Sequence, residues 1–309
     1  MKTRIITGVL LLAVIVPLIA IDHIVAEVGF LILGILLSIM AAFEMMNMFY
    51  IKSPSLHTLR YVIPIFSAVL TYTVVFSATR GLDIGNETYE NFIYHFLVMV
   101  AFILFVVITI IFVIFTKDSS ANDIANCVIT LCYTGLILGY VISIRYLVPV
   151  EPAKVNMVVK GGRSFGYLYT ITIATDSFAY LVGRKWGKKK LCPDISPKKT
   201  VEGAIGGLIA GSIVGVICVF LFQIVKPAGI TETVITILVA LVFSFILSFT
   251  VQVGDLMASK MKRTYGIKDF GNIFPGHGGV LDRFDSLLFS GACFYIMVQL
   301  LQLFIIWAK

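Results

Sequence analysis

A polar window near the carboxyl end of the chain carries the residue types that bind a metal ion and a polyphosphate. It covers residues 253–286 and gathers carboxylates, cations and glycines within an otherwise apolar chain. Asp255 and Ser259 are four residues apart, which places them on one face of a helix. Asp282 and Asp285 are three apart and share a helix face in the same way. Because Mg²⁺ often takes one or two carboxylates together with substrate phosphates, this window predicts a magnesium site.

Two further carboxylates lie inside apolar segments, where an isolated charge costs about 2.5 kcal/mol or more. Asp176 is a further candidate metal ligand. Glu44 is equally consistent with a functional pocket residue and with a side chain that reaches the membrane interface. The alternative for the aspartates is that they cap helices or pair with nearby cations. For Asp282 and Asp285 we favour a metal site, because Arg283 alone is poorly placed to neutralise both.

Cations surround these carboxylates in the sequence. Arginine binds phosphate as a bidentate fork, and lysine binds it as a mobile point charge. The alternative is that these residues only set membrane topology, which accounts well for Lys188, Lys189 and Lys190. The cations concerned are Lys262, Arg263, Lys268, His277 and Arg283. For His277 the sequence context leaves three roles open: an acid or base, a phosphate donor, or a loop residue.

Glycines flank His277 on both sides. Glycine adopts positive φ and lets backbone N–H groups approach a phosphate. Alone, Gly276, Gly278 and Gly279 predict only a tight turn, but with aspartates shortly after them they predict a phosphate cradle.

A second polar segment covers residues 184–202. Ser196 or Thr200 is suited to cap the helix that follows, and Glu202 falls in its first turn. Lys198 and Lys199 precede the same helix, where a helix N-terminus favours anions. Small-residue spacing in the next span indicates close helix packing. The glycines concerned are Gly203, Gly206, Gly207, Gly211 and Gly215.

The composition indicates that the candidate site residues are carried by membrane-spanning helices. Of 309 residues, 59% are hydrophobic and 13% charged, against about 45–50% and about 25% in soluble domains. The strict alternation of β-barrel strands is absent. The chain is therefore predicted to be an all-α integral membrane protein, a polytopic bundle of about nine helices. The predicted spans are 5–21, 28–50, 61–79, 92–115, 127–149, 166–183, 203–225, 231–252 and 287–307.

The net charge and the cysteine pattern indicate which kinds of partner the chain binds. The net charge of +7 fits a positive-inside bias and anionic lipid or phosphate partners better than nucleic acid. The five cysteines show neither metal-ligand spacing nor a disulfide framework. With the amino terminus read as a first span and placed inside, both polar segments face the cytoplasm, where nucleotides are.

The window from Ser259 to Asp285 resembles the signature of the phosphatidate cytidylyltransferases, also called CDP-diacylglycerol synthases. The matching order is Ser-x-apolar-Lys-Arg, then Lys-Asp, then His-Gly-Gly-apolar-x-Asp-Arg-apolar-Asp. Segments around Asp176 and over 196–203 are also similar to this family. The resemblance divides the chain into variable helices over 1–165 and a catalytic region over 166–309, with polar segments 184–202 and 253–286.

The resemblance implies a membrane enzyme that condenses CTP with phosphatidic acid, with Mg²⁺ as cofactor. The implied catalytic residues are Asp255, Lys262, His277, Asp282 and Arg283, with His277 in phosphate binding rather than proton abstraction. The implied substrate-binding residues are Ser196, Lys198, Lys199, Glu202, Ser259, Arg263, Lys268, Gly278 and Gly279. The implied principal metal ligands are Asp255 and Asp282, with Asp176 and Asp285 as further candidates. Replacing Asp282 with alanine is expected to abolish turnover and leave the fold intact.

Two alternative functions and two further expectations accompany this interpretation. A CTP-dependent polyprenol or lipid kinase would use similar groups, and the full signature disfavours it. A secondary transporter of an anionic metabolite would use Asp176 and Glu44 as ion sites, although the polar window does not lie near the membrane midplane. The compact chain favours a bacterial plasma membrane, and the glycine-rich span leaves room for a homodimer.

Overall fold

A computed structural model describes residues 9, 13–80, 88–147, 161–274 and 278–307. Most of this part of the chain is helical. The helices are α1 Ile24–Tyr50, α2 Leu59–Arg80, α3 Thr88–Ile114, α4 Ala121–Thr130, α5 Leu138–Ser143, α6 Gly161–Trp186, α7 Val201–Leu221, α8 Ile230–Thr264 and α9 Leu281–Trp307. A π-helical segment, Leu131–Ile137, joins α4 to α5, and short 3₁₀ helices cover Pro54–His57 and Ile144–Tyr146. The strands β1 Lys190–Cys192 and β2 Ser196–Thr200 form an antiparallel hairpin.

Seven of the described helical stretches are long and apolar enough to cross a membrane, which confirms the prediction of an all-α, multi-pass membrane protein. They are Ile24–Tyr50, Leu59–Thr79, Ile93–Ile114, Ala121–Tyr146, Val201–Leu221, Ile230–Thr264 and Leu281–Leu301. The predicted span 5–21 lies partly outside the described residues. The predicted span 166–183 is helical within α6, but hydroxyl side chains and Asp176 make it more polar than the seven. The count of nine spans stays a prediction.

The chain divides into two compact units. The first comprises Met1–Tyr146 and Met261–Phe284, and the second comprises Leu147–Lys260 and Asp285–Lys309. The division predicted from the sequence falls after residue 165 and separates the variable helices from the catalytic region. It stays a prediction.

Buried hydroxyl groups join the helices of the first unit. Ser38 of α1 donates to the carbonyl of Thr134 at 2.8 Å. Thr71 of α2 donates to Ser38 at 2.9 Å, and Thr134 donates to Ser67 at 3.0 Å. Such polar contacts hold membrane helices together where the hydrophobic effect does not distinguish helix from lipid.

Glycines bring the helices of the second unit into close contact. Gly207 of α7 lies against the carbonyl of Thr175 on α6, and Gly211 lies between Thr175 and Ser248 of α8. Gly215 lies against Ser244 on α8. A side chain at these positions would overlap its neighbour, so the predicted close packing is confirmed and is made within the chain itself.

Candidate active site

The β-hairpin is fixed to the start of α7 by side chain and backbone together. Thr200 is the N-cap of α7, and its Oγ1 accepts a hydrogen bond from the N–H of Gly203 at 3.2 Å. The carboxylate of Glu202 accepts from the backbone N–H groups of Lys188 at 3.0 Å and Lys189 at 3.2 Å. Of the two predicted caps Thr200 is therefore used, because it directly precedes Val201, the first residue of α7, whereas Ser196 lies at the other end of β2. Glu202 holds the turn that precedes the hairpin.

A cavity of about 360 Å³ opens in the second unit between the hairpin and helices α6, α7 and α8. This volume falls within the range of small-molecule sites. Asp176, Tyr180 and Arg184 reach it from α6, because a spacing of four residues keeps them on one helix face. The polar residues that line the cavity are Asp176, Tyr180, Arg184, Lys198, Lys199, Thr200, Gln252 and Asp255.

Asp255 is the most connected carboxylate of this cavity. It pairs with the ammonium group of Lys199, and both side chains are partly exposed, at 28% and 29%. Ser259, one turn further along α8, donates to Asp255 Oδ1 at 3.5 Å, so the predicted placement on one helix face is confirmed. The pairing with Lys199 shows that the predicted alternative, an aspartate neutralised by a cation, also applies to Asp255.

Asp176 lies close enough to Asp255 for the two carboxylates to repel each other electrostatically. Asp176 Oδ2 accepts from the hydroxyl of Ser286 at 3.4 Å. The same residue, Ser286, donates its backbone N–H to Asp285 Oδ1 at 2.8 Å. Ser286 thus links two of the predicted metal ligands of the second unit, Asp176 and Asp285, and Asp176 interacts electrostatically with the third, Asp255.

The donor set of this cavity fits a divalent cation. Among the described residues, no three His, Cys, Asp or Glu side chains form a metal-binding group. A magnesium ion that receives phosphate oxygens from a substrate needs only one or two protein carboxylates. Asp176 and Asp255 supply two carboxylates that repel each other on a common cavity, and a bound cation would relieve that repulsion.

Asp282 lies in the first unit, where the protein satisfies its carboxylate fully. Its side chain is only 4% exposed and pairs with Lys262 Nζ at 2.7 Å. Oδ2 accepts from the backbone N–H groups of Phe270 at 2.8 Å and Gly279 at 3.0 Å. The Lys262 ammonium also lies 5.0 Å from the centre of the Phe270 ring. Asp282 therefore organises the segment that follows α8, whatever else it binds.

The remaining predicted residues of the window differ in their surroundings. Gly278 has φ +85°, as the predicted turn requires, and its backbone carbonyl accepts from the N–H of Phe274 at 2.9 Å. Arg263 donates to the carbonyl of Ile267 at 3.1 Å, which closes the turn after α8. Lys268 and Arg283 are exposed. His277 lies outside the described residues.

The predicted metal site that combines Asp255 with Asp282 joins residues of different units and stays a prediction. Three lining residues were missed as candidate site residues: Tyr180, Arg184 and Gln252. Their spacing from known candidates was the available signal, because Tyr180 and Arg184 follow Asp176 at four-residue steps and Gln252 precedes Asp255 by one helical turn.

The fold and the cavity together define a multi-pass membrane protein with a charged site of mixed sign. The model of the cytidylyltransferase family matches residues 2–301, and the chain belongs to this family. The phosphatidate cytidylyltransferase of Bacillus subtilis (strain 168) is 33% identical over 300 residues, covering 97% of this chain and 98% of the relative. That of Staphylococcus haemolyticus (strain JCSC1435) is 32% identical over 290 residues, covering 94% and 95%. That of Aquifex aeolicus (strain VF5) is 36% identical over 182 residues, covering 59% and 60%. The predicted family resemblance is confirmed.

Proposed function

We propose that the chain transfers the cytidylyl group of CTP to phosphatidic acid, giving CDP-diacylglycerol and pyrophosphate. Membership of the cytidylyltransferase family and the names of the full-length relatives support this reaction. The observation that carries it is the cavity in which Asp176 and Asp255 lie together with Arg184, Lys198 and Lys199. Two carboxylates among three cations suit a substrate that arrives as a polyphosphate with a divalent cation.

In the proposed reaction, a phosphate oxygen of phosphatidic acid attacks the α-phosphorus of CTP. The bond between that phosphorus and the bridging oxygen breaks, and pyrophosphate leaves with the electron pair. The attacking phosphate is already ionised at neutral pH, so no general base is needed. Phosphoryl transfers of this kind depend mainly on positioning and on charge neutralisation.

The cations of the cavity provide that neutralisation. Lys198 and Lys199 extend from β2 beside the N-terminus of α7, whose partial positive charge also favours an anion. Arg184 approaches the same cavity from α6 and offers a planar fork for phosphate oxygens. The predicted contributions of Lys262, Arg263, Lys268, His277 and Arg283 stay proposals.

The proposed cofactor is Mg²⁺, held by Asp176 and Asp255. Asp282, which the sequence predicts as a principal ligand, and Asp285 stay further proposed ligands. When bound, it would neutralise charge on the triphosphate and on the departing pyrophosphate. Lys199 now pairs with Asp255, so a divalent cation at Asp255 would free the Lys199 ammonium to contact phosphate.

We further propose that the protein resides in a bacterial plasma membrane with its amino terminus and its site on the cytoplasmic side. The distribution of Lys and Arg along the sequence supports this orientation, and CTP is supplied on that side. Formation of a homodimer, and the expected lack of nucleic-acid binding, likewise stay proposals.

The position of a radioactive label tests the reaction. The purified protein in detergent micelles receives phosphatidic acid and CTP labelled at the α- or the γ-phosphate, with Mg²⁺ or with a chelator. The proposal predicts α-label in the lipid phase and γ-label in pyrophosphate, both only with Mg²⁺.

Other label distributions overturn the proposal. Appearance of γ-label in a lipid alcohol supplied as substrate would identify a CTP-dependent kinase. If neither label enters lipid with either substrate, the cytidylyltransferase proposal fails, and uptake of labelled anions into liposomes then tests the transporter.

A further inference from the structure

Glu44 is a buried carboxylate of α1 for which the proposed reaction has no role. It is 3% exposed. Its Oε1 accepts from the backbone N–H of Val280 at 2.9 Å, and its Oε2 accepts from that of Leu281 at 3.0 Å. Both N–H groups belong to the first turn of α9 or the residue before it, where an anion is favoured. The side chain therefore acts as a cap for a helix that begins 237 residues later in the sequence.

Two glycines allow the backbone to approach this carboxylate closely. The Cα atoms of Gly271 and Gly279 lie so near the Glu44 side chain that a Cβ at either position would overlap its carboxylate. Glu44 thus contacts both described stretches of this segment, 270–274 at Gly271 and 278–281 at Gly279, Val280 and Leu281. A larger residue at either glycine would push the segment away from its anchor.

Glu44 and Asp282 divide three successive N–H groups between them. Asp282 takes the N–H of Gly279, and Glu44 takes those of Val280 and Leu281. Gly279 belongs to the predicted phosphate cradle, and Val280 and Leu281 follow it directly, but protein carboxylates already accept from all three N–H groups. The glycine-rich segment is thus held in place from within the protein.

We propose that Glu44 is a positioning residue that fixes residues 270–274 and 278–281, and with them Asp282, in the conformation needed for turnover. This inference rests on the proposed function, because it concerns the efficiency of the same reaction. Glu44 itself contacts no substrate in this account. The sequence left open whether Glu44 is a functional pocket residue or a side chain at the membrane interface. Under this proposal Glu44 is functional, through the backbone N–H groups that it holds.

The test combines amide hydrogen exchange with turnover in the full-length protein. Glu44→Gln keeps the size of the side chain but removes its charge and one of its two acceptor oxygens. We expect exchange of the peptide that contains Val280 and Leu281 to rise on the order of tenfold or more, as for loss of a hydrogen bond to a charged group. We expect CDP-diacylglycerol formation to fall in the same variant. Ser38→Ala is the matched control, since it removes another buried polar group from α1 that contacts α2 and the π-helical segment instead.

A second variant keeps the proposal testable if Glu44→Gln does not fold. Gly271→Ala leaves Glu44 intact but places a Cβ against its carboxylate, so it should raise exchange at the same two N–H groups. Unchanged exchange in both variants would overturn the proposal. Faster exchange with turnover equal to that of Ser38→Ala would also overturn it, because order in the segment would then be irrelevant to the reaction. If the unmodified protein forms no CDP-diacylglycerol, the proposed function fails, while the exchange data still decide whether Glu44 orders the segment.

Discussion

The buried pair of Lys262 and Asp282 should be strongly coupled in stability. Its atoms are 2.7 Å apart, and the side chains are 11% and 4% exposed. At an effective dielectric constant of about 20, charges at this distance attract by about 6 kcal/mol, most of which is offset by the cost of removing them from water. Loss of one partner removes the opposite charge from a buried group, which costs about 3–5 kcal/mol where no other group compensates it.

Three variants separate these effects. Asp282→Asn keeps an oxygen for the N–H groups of Phe270 and Gly279 but turns an amide donor toward Lys262. It should lower the free energy of unfolding by about 3–5 kcal/mol. Lys262→Met should cost less, about 1–3 kcal/mol, because two backbone N–H groups still satisfy Asp282. The double variant should cost less than the sum of the two single variants, by a coupling energy of about 2–3 kcal/mol.

Equilibrium unfolding in mixed detergent micelles measures all three variants. The partly exposed pair of Lys199 and Asp255 is the control, and its coupling should not exceed about 1 kcal/mol. A coupling energy within about 0.5 kcal/mol of zero for Lys262 and Asp282 would refute the reasoning. The sequence alone predicts that replacement of Asp282 leaves the fold intact; the structure instead predicts a combined loss of stability and turnover.

Three other predictions concern the second unit. Lys199→Ala should lower kcat/KM by about tenfold to a hundredfold, since a hydrogen bond to a charged group contributes about 1.5–3 kcal/mol. The control Lys188→Ala keeps the backbone N–H used by Glu202 and should have near-normal activity. Equal activities of the two variants would contradict the assignment of Lys199 to phosphate binding. Gly211→Val should lower the thermal stability in detergent, because overpacking costs about 1–3 kcal/mol. Gly229→Ala is the control, since a Cβ at residue 229 meets no atom within 4 Å, and its stability should not fall. Equal stability of the two variants would contradict the close packing at Gly211. Glu202→Gln should speed amide exchange at the two N–H groups that it holds, and unchanged exchange would show that the hairpin does not depend on it.

Local sequence features predicted much of the fold. Long apolar runs predicted the membrane helices, and the spacing of Gly207, Gly211 and Gly215 predicted close packing, because both depend on residues near one another in the chain. Asp255 and Ser259 were placed on one helix face for the same reason. The cap at Thr200 was predicted as one of two options, since hydroxyl residues before a helix are a local signal.

Contacts between distant residues could not be predicted in this way. The partner of Asp282 is Lys262, and the N–H groups held by Glu44 lie more than 200 residues away in the sequence. The β-hairpin was also missed, because its lysine-rich strands lack the alternation of apolar and polar residues that marks a half-buried strand. Tertiary contacts with α7 stabilise it instead.

Turnover of Asp255→Asn tests the central claim most directly, namely that the cavity of the second unit is the site of CTP chemistry. The measurement is Mg²⁺-dependent entry of α-label from CTP into lipid by the unmodified protein, by Asp255→Asn and by Asp194→Asn. Asp194 is an exposed carboxylate of the hairpin that does not line the cavity. The account predicts a loss of at least about a hundredfold for Asp255→Asn, as expected for a lost metal ligand, and near-normal turnover for Asp194→Asn. Near-normal turnover of Asp255→Asn, in a protein that remains folded, would contradict the account.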